Sequence, residues 1–364
     1  MGGKRADRRF RLAAIVGSLA VGFGAAEIGL RLVSEPPGEM DVLAKLAAGL
    51  EAPTPSEDCR APAPQALLRH IVDPSAHPDL IYELRPNSDT CFEGARVTVS
   101  SRGVRSSSEL ASPKPEGTYR ILALSDSHGF GWGISHADTV ASQLQDALKP
   151  VSEDRVEVVN AGIPGYSAYQ EAAWLEAYGA DFEPDCVIVL FVANDMGLPH
   201  FLLQDRKPGP SRLWDAVKRA TGSKRWFTFA PNELATFVTE VDMDRIPPEY
   251  RHMVGEEGYR DALRKMADWA QAARVDLVNV FDYSTLELDS DALVVLQEGL
   301  GITAFEVPWP MDPALRVSEA DPHLNRRGNA RVVELLVEGL RTEGVCLPPH
   351  GDSGTEADAL LGGG

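Results

Sequence analysis

The chain has 364 residues, of which 44% are hydrophobic and 24% are charged, and its formal net charge at pH 7 is −19. This composition suits one large globular domain with appended segments. The first eleven residues contribute +4, so the remainder is strongly acidic and repels phosphate backbones, which argues against nucleic acid as a partner.

The chain begins with the pattern of an export segment. Basic residues up to Arg11 precede an apolar run over residues 12–26, and we predict a signal or membrane anchor over residues 1–32. The run is shorter than the roughly 20 residues of a membrane-spanning helix unless Leu30 and Leu32 extend it. A single-pass anchor and a signal cleaved after Ala26 therefore both stay open. The basic flank predicts that everything after it lies outside the cytoplasm, in the periplasm.

Three further regions are defined by composition. Residues 33–79 begin with Pro-, Ala- and acid-rich sequence and are predicted to be a stalk. The main domain is predicted over residues 80–346, opening with a small β lead-in at 80–118. The Gly-rich and acidic tail, 347–364, is predicted to be disordered.

From residue 119 the pattern alternates between short apolar runs and amphipathic segments. Strands are predicted at 119–124, 156–159, 186–192, 275–281 and 304–307, and helices at 139–148, 169–178, 293–300 and 327–341. This alternation predicts an α/β fold, a three-layer α/β/α sandwich with a mainly parallel central sheet. Residues 198–262 interrupt the rhythm with Pro-rich and aromatic sequence, and we interpret them as an insertion, either a lid or an ordinary packed region.

The four cysteines show no metal-ligand spacing, so no metal site is predicted. Outside the cytoplasm Cys59 and Cys91 are expected to pair, whereas Cys186, inside an apolar run, is expected to be an unreactive core residue. The glycines at 129, 131 and 133 lack the spacing of a dinucleotide-binding loop, and no cofactor is predicted.

Four short segments follow predicted strands or precede a helix, where ligands of parallel sheets bind. Ser127 follows the first core strand, and His323, just ahead of the last helix, can accept its proton. Gly162 and Asn194 follow the second and third strands and can donate hydrogen bonds to a developing oxyanion. Asn325 is predicted to cap the last helix.

At these residues the sequence resembles the SGNH (GDSL-like) hydrolase superfamily. The resemblance also covers residues 84–87 and 101–105, which look like the lead-in of membrane-anchored bacterial members. It implies a flavodoxin-like SGNH hydrolase fold with Ser127 as nucleophile, His323 as base and Asp321 as its acid. It further implies an oxyanion hole formed by the Ser127 amide, Gly162 and Asn194.

The chain departs from the family pattern at several positions. Ser125 and Val192 stand where glycines are usual, and Ala320 occupies the usual position of the acid, three residues before the histidine. Asp321 is therefore the expected acid and Glu319 the alternative. A literal Gly-Asp-Ser at 351–353 has no strand before it and is discounted.

The predicted function is that of a serine esterase or deacetylase. Its substrates would be acyl esters, acetyl or short-chain, of glycans, lipids or small molecules outside the cytoplasm. An O-acyltransferase that modifies extracellular polysaccharide would use the same triad, and a non-catalytic glycan-binding module is the further alternative.

Overall fold

The computed structural model describes residues 58–349 except 61–63, 150–154, 205–225, 230–242, 245 and 283–289. The chain divides into two compact units, and the larger comprises Glu51–Phe201 and Phe229–Gly364. The smaller comprises Met1–Leu50 and Leu202–Thr228, of which only strand residues 202–204 and 226–228 are described. No helix in the described ranges is long and apolar enough to cross a membrane, and the predicted export segment lies outside them.

Strands and helices alternate along most of the described chain. The strands are β1 Val72–Pro74, β2 Tyr82–Leu84, β3 Asp89–Phe92, β4 Ala95–Thr98, β5 Thr118–Ser125, β6 Arg155–Asn160, β7 Cys186–Leu190, β8 Phe201–Gln204, β9 Trp226–Phe229, β10 Asp276–Phe281 and β11 Thr303–Glu306. The α-helices are α1 Leu68–Ile71, α2 Ser127–Phe130, α3 Val140–Leu148, α4 Ala168–Tyr178, α5 Gly255–Ala273, α6 Ser290–Gly299 and α7 Arg326–Glu343.

Five of these strands form the central sheet, in the order β6-β5-β7-β10-β11. All four neighbouring pairs are parallel, for example Ile121 opposite Cys186 and Val278 opposite Thr303. Counted along the chain the order is 2-1-3-4-5, the flavodoxin-like arrangement, which reverses direction between β5 and β7. The predicted fold class is confirmed, and the reversal marks where a ligand crevice is expected.

Helices cover both faces of this sheet because strand side chains alternate between the faces. On one face α3 and α7 pack together on Ile121, Ile188 and Val278, with Leu144 and Leu336 in the same core cluster. On the other face α4 packs against α5. The two apolar layers hold the strands in register and fix the loops at their carboxyl ends.

Most predicted elements are found within two residues of their expected bounds, but two regions differ. Residues 255–262, which we interpreted as part of the insertion, begin α5, a helix of the sandwich. Residues 68–74, predicted to be stalk, form α1 and β1, and β1 pairs antiparallel with β2. Both belong to the packed domain because their apolar side chains, such as Ile71 and Leu263, are buried.

Two disulfides stabilise the larger unit. The predicted Cys59–Cys91 bond is confirmed and attaches the chain near residue 59 to β3. The prediction for Cys186 is wrong, because this buried β7 residue forms a disulfide with Cys346, just beyond α7. Their separation of 160 residues left no local pattern that indicated the pairing.

Candidate active site

Ser127 lies at the carboxyl end of β5, where the strand turns directly into α2. The side chain of Asp126 caps this helix by accepting a hydrogen bond from the His128 N–H at 2.8 Å. Gly129 allows the close turn, since a Cβ there would lie 2.3 Å from the Ser125 Cβ. The chain reversal leaves the Ser127 hydroxyl at the sheet edge with 9% of the residue exposed.

His323 and Asp321 lie on the loop before α7 and complete a hydrogen-bonded series with Ser127. The Ser127 Oγ is 2.8 Å from His323 Nε2, and His323 Nδ1 is 2.6 Å from Asp321 Oδ1. The His323 backbone N–H donates to the same carboxylate oxygen at 3.0 Å. With Nδ1–H donating to the carboxylate, Nε2 is left to accept the serine proton.

The local sequence explains why this loop is well ordered. Asn325 accepts hydrogen bonds from the Arg327 and Gly328 N–H groups at 2.9 and 3.2 Å, so the predicted helix cap is confirmed. The Asp321 N–H donates to Ser318 Oγ at 3.1 Å. Glu319, the alternative acid, is exposed and forms no hydrogen bond or ion pair with any residue in the described ranges.

Asn194 follows β7, and its side chain reaches the same edge of the sheet. Its Nδ2 donates to Asp126 Oδ2 at 2.8 Å, an oxygen that also lies 3.1 Å from Ser127 Oγ. An amide nitrogen carries two hydrogens, so one N–H of Asn194 remains for a ligand. The Ser127 N–H, in the first turn of α2, is likewise not used by the helix.

Gly162 does not occupy the predicted place in this arrangement. Its N–H donates to Asn160 Oδ1 at 3.0 Å, which leaves no hydrogen for an oxyanion. A Cβ at this position would lie 2.4 Å from the Phe130 nitrogen, so the glycine allows the β6 loop to pack against α2. Its contribution is to the position of Ser127.

Buried carboxyl groups surround Asp126. Glu171 on α4 and Asp195 after β7 are each 1% exposed, and Asp126 is fully buried. Burial and the nearby Asp126 charge raise the pKa of Glu171 well above its usual range. Burial, followed by the Glu171 and Asp126 charges, raises the pKa of Asp195 in the same direction, against a hydrogen bond from Val192 N–H that lowers it. Both groups therefore favour the protonated form.

Two aromatic rings from the segment after Ser127 pack against the His323 imidazole. The Trp132 indole is stacked on it, with centroids 5.2 Å apart and planes 13° apart, and the His128 ring lies at 4.6 Å and 37°. Burial lowers the pKa of His128 to about 4, an effect that the Asp126 charge opposes and the His323 charge reinforces. His128 is thus neutral at physiological pH.

Arg105 supports this segment from below, a role that the sequence did not indicate. The residue is 1% exposed, and its guanidinium donates to the backbone carbonyls of Phe130 and Ile134 at 2.7 and 2.6 Å, and to that of Gly131. Burial lowers the pKa of Arg105 to about 9, so the group remains cationic at neutral pH. The only signal was its place in the Ser-Arg-Gly-Val-Arg segment.

A cleft of about 400 Å³ adjoins the Ser127 site. Its lining is largely apolar and includes Phe191, Val192, Trp309 and Met311, while His128, Asn194 and Pro322 connect it with the catalytic loops. Within the described ranges, no group of three or more His, Cys, Asp or Glu side chains is placed to hold a metal ion.

A serine hydroxyl, an imidazole and a carboxylate at the switch point of this fold are the arrangement of an SGNH-type serine hydrolase. Residues 125–331, more than half of the chain, match the model of the GDSL-like lipase/acylhydrolase family. The chain belongs to this family, whose members are enzymes acting on ester bonds.

Several solved structures are similar to this chain at low identity. A psychrotrophic esterase from Pseudoalteromonas sp. is 13% identical with a TM-score of 0.39, over 62% of this chain and 97% of that one. A lipase/acylhydrolase from Enterococcus faecalis is 14% identical with a TM-score of 0.38, over 62% and 96%. A two-domain esterase active on acetylated mannans is 14% identical with a TM-score of 0.39, over 65% and 53%. No curated protein matches the sequence.

Proposed function

We propose that the protein is an esterase that cleaves acetyl or other short-chain acyl esters outside the cytoplasm, with Ser127, His323 and Asp321 as its catalytic triad. The observation that carries this proposal is the unbroken hydrogen-bonded series from Ser127 Oγ through His323 to Asp321, with distances of 2.8 and 2.6 Å. Hydroxyl, imidazole and carboxylate in this order are the parts that nucleophilic acyl transfer requires.

In the first half-reaction Ser127 Oγ attacks the ester carbonyl carbon while His323 Nε2 takes the hydroxyl proton. The tetrahedral intermediate collapses when His323 returns that proton to the leaving alcohol, which leaves an acyl group on Ser127. In the second half-reaction water attacks the acyl-enzyme and gives its proton to the same nitrogen. Asp321 stabilises the imidazolium in both steps, since its Oδ1 accepts the hydrogen on Nδ1.

The developing oxyanion requires hydrogen-bond donors, and the free N–H of Asn194 and the amide of Ser127 are the ones we assign. Asp126 holds the Asn194 amide through its 2.8 Å hydrogen bond, so the donor is oriented before substrate arrives. Gly165 is a better third donor than Gly162, because its N–H forms no hydrogen bond with any residue in the described ranges. Each such donor contributes about 3 to 4 kcal/mol to transition-state stabilisation.

The cleft beside Asn194 gives room for the acyl or alcohol portion of the ester, and its apolar lining favours uncharged groups. The extracytoplasmic location is supported by the basic and apolar N-terminal sequence and by the two disulfides, because disulfides persist in oxidising compartments.

A panel of acyl esters tests the proposal. Wild type and Ser127→Ala are assayed on p-nitrophenyl esters of two to ten carbons and on acetylated oligosaccharides, with and without an added acceptor oligosaccharide. We expect hydrolysis by wild type, falling with chain length, and none by Ser127→Ala. Acyl transfer to the acceptor in place of release would indicate the acyltransferase, and absence of turnover on every ester would contradict the proposal.

A further inference from the structure

His323 is in contact with aromatic rings that the triad itself does not explain. The near-parallel Trp132 indole, at 5.2 Å and 13°, is placed so that its π face meets the imidazole face. A tryptophan face attracts a cation through the ring quadrupole, more strongly where water is excluded. His323 carries a positive charge only while it holds the serine proton, so this attraction acts when the reaction is under way.

The Trp132 indole is held from two sides. Phe92 meets it edge to face, with centroids 4.7 Å apart and planes 79° apart, and the Trp132 N–H donates to the Ser127 carbonyl at 3.1 Å. Phe92 ends β3 and follows Cys91, which the disulfide attaches to Cys59. The lead-in hairpin of β3 and β4 thus positions the ring.

His128 contributes a second ring without adding charge. Its imidazole lies 4.6 Å from that of His323 and meets Trp309 edge to face at 5.1 Å. The Nδ1 atom is buried and has no hydrogen-bond partner among the described residues, which disfavours a protonated ring. A neutral His128 fills the space beside His323 and does not repel its imidazolium.

Resting on the function proposed above, we propose that Trp132 is a positioning residue that stabilises the imidazolium form of His323 by stacking on it. The charged and titratable groups around this ring are Asp321 on its own loop, Asp126 at the start of α2 and His128 within α2. The two carboxylates stabilise the imidazolium over distances that the indole does not alter. The contribution of Trp132 is therefore separable by substitution.

The test compares Trp132→Leu and Trp132→Phe with wild type in kcat, KM and the pH profile of kcat/KM. Loss of the indole disfavours the imidazolium, so we expect kcat to fall about 3- to 30-fold for Trp132→Leu with KM little changed. The acidic limb of kcat/KM should move to lower pH by about 0.5 to 1 unit, since the base then protonates less readily. Trp132→Phe, which keeps a weaker π face, should lie between the two.

Trp269→Leu, the same change at a half-buried tryptophan of α5, is the matched control and should shift neither quantity. Thermal unfolding and fluorophosphonate stoichiometry check that each variant is folded with an accessible Ser127. A fall in kcat with an unmoved acidic limb, or equal losses for Phe and Leu, would overturn the inference and leave Trp132 a packing residue.

An NMR titration of the His323 ring, assigned by its absence in His323→Asn, gives a readout without substrate. The midpoint should again be lower in Trp132→Leu than in wild type. If wild type hydrolysed no ester, the proposed function would fail, while this titration would still decide whether the indole stabilises the imidazolium.

Discussion

Asp321 is bound to His323 twice, by the ring Nδ1–H at 2.6 Å and by the backbone N–H at 3.0 Å, and this defines the first prediction. Asp321→Asn preserves size but favours the wrong imidazole tautomer, so Nε2 no longer accepts the Ser127 proton. We expect kcat to fall by about 10⁴-fold, as for the corresponding change in a serine protease, with KM nearly unchanged. Glu319→Gln is the control, and a crippling effect there with a mild one at Asp321 would reverse the assignment.

Glu171 gives a prediction about stability and pH. Its carboxyl group is buried without a hydrogen-bond partner in the described part of the chain, and burial followed by the Asp126 charge raises its pKa well above the usual range. Above the unfolded-state value of about 4.3 the native state binds more protons than the unfolded state, so this group lowers stability as pH rises.

Glu171→Gln removes that titration. Its free energy of unfolding should therefore rise relative to wild type between about pH 4.5 and 7, with a slope of at most about 1.4 kcal/mol per pH unit. Urea denaturation across this range measures the slope. Glu176→Gln, an exposed position on the same helix, should run parallel to wild type, and a parallel course for Glu171→Gln would show that Glu171 is ionised in the folded protein.

Gly162 tests whether the β6 loop positions the nucleophile. A methyl group there meets the Phe130 nitrogen at 2.4 Å, and Phe130 belongs to the same short helix as Ser127. Gly162→Ala should lower both kcat and the free energy of unfolding, the latter by about 1 to 3 kcal/mol. Gly299→Ala, at a helical glycine with open space around it, should do neither; an unchanged Gly162→Ala enzyme would show that the loop yields.

At the scale of elements, apolar patterning predicted the central sheet and most of its helices. The runs at β5 and β7 are buried on both faces, so burial and sequence agree without knowledge of the partners. The helix α5 was missed because its opening Gly-Glu-Glu-Gly obscures apolar positions at Tyr259, Leu263 and Met266. Local composition outweighed a helical period that is present in the sequence.

The disulfides differ in the length of chain that each closes, 160 residues for Cys186–Cys346 against 32 for Cys59–Cys91. Closing the longer loop restricts the unfolded chain more, by about 1.4 kcal/mol in the loop-entropy model. Replacing both cysteines of the longer bond by alanine should therefore lower the free energy of unfolding by more than the same replacement in the shorter bond. Urea denaturation of the two double variants decides, and the reverse order would contradict the model.

At the scale of the whole molecule, the triad joins residues 196 positions apart. Sequence reasoning selected Ser127, Asn194 and His323 because each follows a strand or precedes a helix, and parallel strands bring those ends together. It could not distinguish among glycines of one loop, nor anticipate that Arg105 and Trp132 reach the site. Their contacts depend on how separate loops fold over one another.

The location of the domain yields a prediction for the full chain. Alkaline phosphatase fused after about residue 35 should be active, because the basic flank keeps the preceding residues in the cytoplasm. Peptide mapping without reduction should then recover the Cys59–Cys91 and Cys186–Cys346 pairs from the exported protein. Inactive fusions and four free thiols would place the domain in the cytosol instead.

The central claim is that Ser127 is the nucleophile, and covalent labelling tests it most directly. Wild type is treated with a fluorophosphonate, digested and mapped by mass spectrometry beside Ser127→Ala, His323→Asn and Ser353→Ala. The account predicts one labelled peptide, carrying the adduct on Ser127, with labelling abolished in Ser127→Ala, strongly slowed in His323→Asn and unchanged in Ser353→Ala. An adduct on another serine, or undiminished labelling of Ser127→Ala, would contradict it.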